Sequence, residues 1–228
     1  VRHVLPTLPF LYLLAAGWVK SWLARRRGNS SPPVGVSEQI GHTTPFVRRI
    51  RTDGEFRGRA ILILLVVWLA AETAFAAPYF LSYFNEAAGG TKNGYRHVVD
   101  SNYDWGQDLG RLRGARTLYN ATHPVEPIRR IAFDYFGGGD PATALAPIGV
   151  AVQEWWPAKG DPREQNIEWL AVSVNSLQGG LGKPVRGWTR PPQDSYAWLT
   201  DLKPTPEGVG QVPTPDLRAG TSIFVYHL

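Results

Sequence analysis

The sequence has no cysteine and no methionine among its 228 residues. Without cysteine it forms no disulfide framework, no thiolate metal site and no cysteine nucleophile. Because it begins at Val1 and carries no methionine, we expect it to be a piece of a longer protein. It also lacks a glycine-rich phosphate loop, a GxSxG elbow and a histidine cluster with metal-ligand spacing. We therefore identify no cofactor and no metal site, and we leave a divalent metal open but unsupported.

The net charge of +5 comes from one stretch of the chain. Nine basic and three acidic residues lie between Lys20 and Arg59, which gives this stretch +6 and leaves −1 for the remainder. Its middle is rich in Gly, Ser and Pro, which is typical of a disordered connector. A basic connector on a nearly neutral protein does not indicate nucleic-acid binding, so we expect no nucleic-acid partner.

Two apolar runs flank this basic stretch. Residues 4–19 carry no charge, and residues 60–77 carry only Glu72. A transmembrane helix needs about 20 mainly apolar residues, which both runs reach when their neighbours are included. The sequence therefore predicts transmembrane helices over residues 1–24 and 59–84. The alternative is a pair of buried core helices; a signal peptide is disfavoured because the charges follow the first run.

The charge distribution also predicts an orientation in the cytoplasmic (inner) membrane. Short loops rich in Lys and Arg stay in the cytoplasm, so residues 25–58 are expected inside and residues 85–228 outside. Arg2 and His3 would then share the outer face with residues 85–228. Glu72, a carboxylate within a predicted span, either faces a bundle interior or is a protonated packing residue. Both cases imply more helices than the two predicted.

Residues 85–228 have the pattern of a small α/β domain, with mixed elements separated by Gly and Pro. Apolar residues at spacings of three and four predict an amphipathic helix from Trp105 to Leu118. Three alternating or β-branched runs predict strands over residues 131–136, 167–175 and 222–228. A short helix over residues 195–202 and a proline-rich loop over residues 203–216 complete the prediction.

The stretch VDSNYDWGQDL, residues 99–109, holds more polar groups than a turn needs. Asp104 with Gln107 has the form of a helix capping box, and Ser101 with Asp104 forms a competing register. Asp108 would lie in the first helical turn, where the helix dipole favours an anion. Capping therefore explains these residues without a function.

Other polar residues of the region are not explained by capping. Asp100 and Asn102 are available to bind a polar ligand such as a sugar, or to order the domain against the membrane. Asn85 and Glu86 lie in a turn-rich segment that either redirects the chain or lines the mouth of a cavity. The candidates for substrate or acceptor binding are Asn85, Glu86, Asp100, Asn102, Asp104, Gln107 and Asp108.

Several motifs together resemble a known family. They are RHVLPTLPFLYLLA near the start, YFLSYFNEAAGGTKNGYRHVVDSNYDWGQDL in the middle, and later YFGGGDP, VSVNSLQG and AGTSIFVYHL. In this order they resemble the C-terminal portion of bacterial membrane glycosyltransferases of the GT-C fold, in glycosyltransferase family 39, the dolichyl-phosphate-mannose protein mannosyltransferase-like group. The resemblance covers nearly the whole chain apart from the basic loop, although ATALAPIGV and residues 203–216 depart from the pattern.

The resemblance implies an enzyme that moves a sugar from a polyprenyl-phosphate carrier to a lipid, glycan or protein hydroxyl outside the cytoplasm. The catalytic carboxylate of such enzymes lies in an early outer loop that this chain does not contain, so we expect no catalytic residue here. Arg2 and His3 are expected to bind the donor phosphate, where cations stabilise the departing charge. The predicted fold is two membrane helices of a polytopic GT-C bundle followed by an extracytoplasmic α/β domain.

Two other classes of protein compete with this interpretation. A non-catalytic, membrane-tethered module would present the α/β domain to glycans or to a partner protein. A transporter, suggested only by Glu72, would show repeated hydropathy between its halves.

Overall fold

The computed structural model describes residues 16–17, 19–20, 22, 45–84, 88–98, 101, 103–184, 186–208 and 210–228. Contacts divide the chain into two units, Val1–Trp68 and Leu69–Leu228. Helix α1, Pro45–Ala76, begins in the first unit and ends in the second. The second unit contains a sheet and all the other helices described below.

The prediction of transmembrane helices, and with it a GT-C helical bundle, was wrong. Among the described residues, no helix is both long and apolar enough to cross a membrane. The predicted span over residues 59–84 is not one helix, because α1 ends at Ala76 and Phe80–Ser82 forms a separate 3₁₀ turn. Pro78, which has no backbone N–H to donate, lies between them. The predicted span over residues 1–24 lies almost entirely outside the described residues.

The prediction of an α/β domain is confirmed by a five-stranded mixed sheet. Its strands lie in the order β2-β1-β3-β5-β4. Strand β1 is parallel to both β2 and β3, whereas β5 is antiparallel to β3 and β4. The strands are β1, Arg130–Asp134; β2, Ala151–Glu154; β3, Trp169–Ser173; β4, Leu217–Ala219; and β5, Ile223–His227.

Both faces of the sheet are covered. Strand β3 is buried along its whole length, with Trp169 and Ala171 in one core and Leu170 and Val172 in the other. Because successive side chains of a strand point to opposite faces, this alternation shows that β3 lies between two layers. The remaining helices are α2, Leu109–Thr122; α3, Pro141–Leu145; α4, Val174–Leu181; and α5, Ala197–Leu202.

The two layers differ in composition. Leu109 and Leu112 of α2 and Leu145 of α3 pack with Ile131 and Phe133 on one face. On the other face α4 and α5 contribute Leu177, Leu199 and neighbouring residues, together with Tyr95 and Tyr103 from the segment that precedes α2. The domain is thus a sheet between helices, and the segment before α2 belongs to its core.

Most predicted elements are present with shorter bounds. The run 131–136 overlaps β1, the runs 167–175 and 222–228 contain β3 and β5, and the run 195–202 contains α5. The predicted helix at Trp105 begins only at Leu109. Strands β2 and β4 and helices α3 and α4 were not predicted, since each is short or, for α4, follows a strand without a break.

Candidate functional site

The carboxyl ends of β1 and β3 form a topological switch point. From β1 the chain continues to β2 at one edge of the sheet, and from β3 it continues to β4 and β5 at the opposite edge. Connections that diverge in this way leave a crevice outside the ends of the two parallel strands, and ligands of α/β proteins commonly bind there. Strand β1 ends at Asp134 and β3 ends at Ser173.

Asp134 lies at the carboxyl end of β1, where such a crevice is expected, and is 8% exposed. Ser176 Oγ, in the first turn of α4, donates to Asp134 Oδ1 at 2.7 Å. The Tyr196 hydroxyl, just before α5, donates to Asp134 Oδ2 at 2.7 Å. Burial raises the pKa of Asp134, and the two hydroxyl donors act in the opposite direction. The carboxylate therefore holds the ends of β1, α4 and α5 together.

Two glycine segments meet at the rim of the crevice. The Tyr135 hydroxyl donates to the Gly106 carbonyl at 3.2 Å. A Cβ added to Gly106 would lie 2.1 Å from the Tyr135 hydroxyl oxygen and 3.0 Å from Gly137 Cα. Gly106 also has a φ of 78°, which favours glycine. The motif DWGQDL is therefore in backbone contact with the motif YFGGGDP, and Gly137–Gly139 remain exposed.

The segment Tyr103–Asp108, which we call the aspartate loop, is fastened to the β4–β5 turn by Asp108. This carboxylate has no exposed surface. Its Oδ2 accepts from the Thr221 and Ser222 backbone N–H groups at 2.6 and 2.8 Å and from both hydroxyls at 3.2 and 3.0 Å. Arg111 pairs with Oδ1. Five donors thus compensate one buried charge, which is the condition for burying it.

Asp104 shares this pocket without the same compensation. It has no exposed surface, and its Oδ1 accepts from the Gly106 N–H at 2.8 Å. Its Oδ2 is buried and has no hydrogen-bond partner among the described residues. Burial raises the pKa of Asp104 to about 6 and the charge of Asp108 adds to the rise, whereas the Gly106 N–H and the Ser222 hydroxyl lower it.

The predicted capping box was wrong. Asp108 occupies the N-cap position of helix α2, but its side chain makes no capping hydrogen bond to the helix. Asp104 instead closes a turn onto Gly106. Gln107 Oε1 accepts from the Trp105 N–H at 2.7 Å, and its amide nitrogen donates to Ser82 Oγ and the Tyr103 carbonyl. These polar groups stabilise the loop rather than the end of the helix.

Trp105 is held rigidly at the surface by this loop. Its indole N–H donates to the Ser101 carbonyl at 2.8 Å, yet 60% of the residue is exposed. The loop therefore orients the Trp105 ring while leaving it outside the core.

The structure brings three of the predicted site residues together: Asp104, Gln107 and Asp108 lie in the aspartate loop. The others lie outside the described residues: Arg2, His3, Asn85, Glu86, Asp100 and Asn102. Their proposed roles stay predictions. Glu72, half-exposed on α1, lines a cavity of about 210 Å³ between α1 and Phe80–Tyr83.

The sequence did not predict Asp134, Ser176 and Tyr196 as site residues. Asp134 falls within the strand pattern IAFDYF, and Ser176 falls within NSLQG, which directly follows the buried strand β3. A polar residue at the carboxyl end of a buried strand was the available signal. Tyr196 had none, because its hydroxyl reaches Asp134 from 62 positions away in the sequence.

The described residues contain no group of three or more His, Asp or Glu side chains arranged to hold a metal ion. Compared with models of protein families, with curated proteins and with solved structures, the chain matches none of them.

Proposed function

We propose that this chain is the C-terminal part of a glycosyltransferase that moves a sugar from a polyprenyl-phosphate carrier to a hydroxyl acceptor outside the cytoplasm. Within it, the Leu69–Leu228 unit binds the acceptor glycan. One observation carries the proposal: four of the motifs on which the resemblance rests meet around a single crevice. The aspartate loop contacts YFGGGDP through Gly106 and AGTSIFVYHL through Asp108, and NSLQG contacts β1 through Ser176.

The surface near this crevice suits a sugar. A pyranose ring has an apolar face of C–H groups and an edge of hydroxyls, so it binds best where a flat aromatic ring borders hydrogen-bonding groups. Trp105 supplies the ring, with its polar N–H already satisfied by Ser101. Its neighbour Gly106 contacts Gly137, the first residue of the exposed segment Gly137–Gly139, which offers peptide N–H and C=O groups.

The carboxylates of the aspartate loop do not act as the general base in this arrangement. A base must lie within hydrogen-bond reach of the acceptor hydroxyl. Asp104 and Asp108 have no exposed surface, and Asp108 is occupied by internal donors. The resemblance assigns the base to an early outer loop of the family, and we assign Arg2 and His3 to the donor phosphate.

The same burial of both aspartates favours the second candidate, a non-catalytic module that binds glycans or assembles with a partner. In that case the crevice binds the same class of ligand but no sugar is transferred.

The experiment measures glycan binding by the full 228-residue chain on a glycan array, followed by calorimetric titration of any glycan that binds. Trp105→Ala is expected to abolish binding, because it removes the aromatic face. Trp188→Ala is the matched control, since Trp188 is also exposed, at 52%, but lies in a different loop. Loss of binding in both variants, or no binding by the unmodified chain, would refute an acceptor site.

A transfer assay separates the enzyme from the module. The parent protein is incubated with a radiolabelled polyprenyl-phosphate mannose and with the glycan that binds. Label on the glycan supports the glycosyltransferase. Binding without transfer by an intact parent protein supports the module instead.

A further inference from the structure

The side chain of Asp104 is an unusual group for a fully buried position. One of its oxygens accepts a single N–H from Gly106, and the other has no partner among the described residues. A buried carboxylate with an unsatisfied oxygen is costly, because it loses its hydration without replacement. A proton on that oxygen removes the charge and most of the cost.

Among the described residues, the charged group that acts on Asp104 is a like charge, Asp108, which lies at the start of α2 with Arg111 as its partner. Tyr135 interacts with Asp104 from the exit of β1. Tyr103 and Asp108 are the other titratable groups of the aspartate loop. The β4–β5 turn contributes only backbone N–H groups and hydroxyls, nearly all of them on Asp108.

The contrast between the two carboxylates decides which of them holds a proton. Asp108 has five donors, including Arg111. Asp104 has one backbone donor, a smaller contribution from the Ser222 hydroxyl, and a like charge beside it. When two carboxylates share a buried pocket, the less compensated one keeps the proton.

Asp104 is coupled directly to the exposed Trp105. The N–H that it binds belongs to Gly106, the residue after Trp105. The Trp105 backbone N–H is bound by Gln107, and its indole N–H is bound by the Ser101 carbonyl. A movement of Asp104 toward water therefore pulls on the turn that holds the indole in place.

We propose that protonation of Asp104 is a pH-controlled latch: the protonated residue keeps the aspartate loop closed, and its deprotonation opens the loop and releases Trp105. The closed loop is the conformation described above. Because burial raises the pKa of Asp104 to about 6, the loop opens between mildly acidic and neutral pH. If Trp105 binds a glycan as in the proposed function, binding weakens as the pH rises through this range.

The test follows the indole N–H of Trp105 by NMR in the full chain, labelled with ¹⁵N at tryptophan and free of glycan, from pH 4.5 to 8. Trp105→Phe identifies the resonance among those of the nine tryptophans. The latch predicts a resonance shift with a midpoint near pH 6, and a rise in the hydrogen exchange of the indole above that pH that is steeper than in Asp104→Asn. Asp104→Asn abolishes the transition, because the amide keeps the oxygen for Gly106 and stays uncharged.

Asp134→Asn is the control, because Asp134 is also a buried aspartate with a raised pKa, but both of its oxygens are hydrogen-bonded. It is expected to leave the transition of Trp105 in place. A Trp105 resonance that does not change with pH, or a transition that persists in Asp104→Asn, overturns the latch.

If Asp104→Asn does not fold, the carboxyl ¹³C resonance of Asp104 in the unmodified chain decides: a midpoint different from that of Trp105 also overturns the latch. The proposed function fails separately, as an absence of glycan binding at every pH.

Discussion

Replacing Asp104 by asparagine should stabilise the protein at neutral pH, although most substitutions of a buried polar residue destabilise. The pKa of Asp104 rises from 3.8 to about 6 on folding, mainly because of burial. The folded state therefore binds the proton more tightly than the unfolded state between these two values, and stability falls as the pH rises through that interval. The loss is complete about one pH unit above the folded-state pKa.

The size of the effect follows from the shift. About two pKa units at 1.36 kcal/mol each correspond to ~3 kcal/mol of stability lost between pH 4 and pH 7. Asparagine cannot ionise, and its oxygen still accepts from Gly106. Asp104→Asn should therefore match the unmodified chain at pH 4 and exceed its free energy of unfolding by up to ~3 kcal/mol at pH 8.

Urea denaturation from pH 4 to 8, followed by tryptophan fluorescence, measures the difference between the two proteins. Other titrating groups cancel in this difference because both chains carry them. Asp134→Asn provides the comparison. In the unmodified chain both oxygens of Asp134 accept from hydroxyl groups, and the amide nitrogen of asparagine would replace one of these acceptors with a donor. Asp134→Asn should therefore destabilise the protein at every pH. A pH-independent difference for Asp104→Asn would refute the reasoning.

Two further predictions test the aspartate loop and the adjoining helix by urea denaturation at pH 7. Asp108→Asn should lower the free energy of unfolding by about 2 kcal/mol or more. The reason is that one amide oxygen cannot replace a charge that binds four donors on Oδ2 and Arg111 on Oδ1. A decrease below about 0.5 kcal/mol would contradict this role. Gly106→Ala should lower the free energy of unfolding by about 2 kcal/mol, because Gly106 has a positive φ and contacts Tyr135. Gly110 lies inside α2 with open space around it, so Gly110→Ala should raise the free energy of unfolding by about 0.5–1 kcal/mol. Equal effects at the two glycines would mean that the rim contact is not tight.

Local patterns predicted the strands but not the limits of the helices. The alternation of Ile131 and Phe133 identified β1 and its face correctly, because a strand in a sheet must alternate. The run of apolar residues that ends at Phe84 was interpreted as one continuous span, yet the chain turns after Ala76. Hydropathy does not register such a turn, because the residues on both sides of Pro78 are apolar.

The polar stretch before α2 shows the limit of local reasoning most clearly. Asp104 and Gln107 have the spacing of a capping box, and a capping box is a plausible local solution. Apart from Arg111, the donors that Asp108 binds lie 113 and 114 positions away, in the turn between β4 and β5. No local spacing rule contains that information.

The sequence by itself determined the α/β class of the Leu69–Leu228 unit and the positions of its central strands, since periodicity and β-branched residues act over a few neighbouring positions. Only the tertiary structure decided the order of the strands, the meeting of the separate motifs at the ends of β1 and β3, and the burial of Asp104 beside Asp108. The physical reason is that pairing and burial join residues far apart in the chain, and the environment of a carboxyl group, not its neighbours in sequence, determines whether it holds a proton.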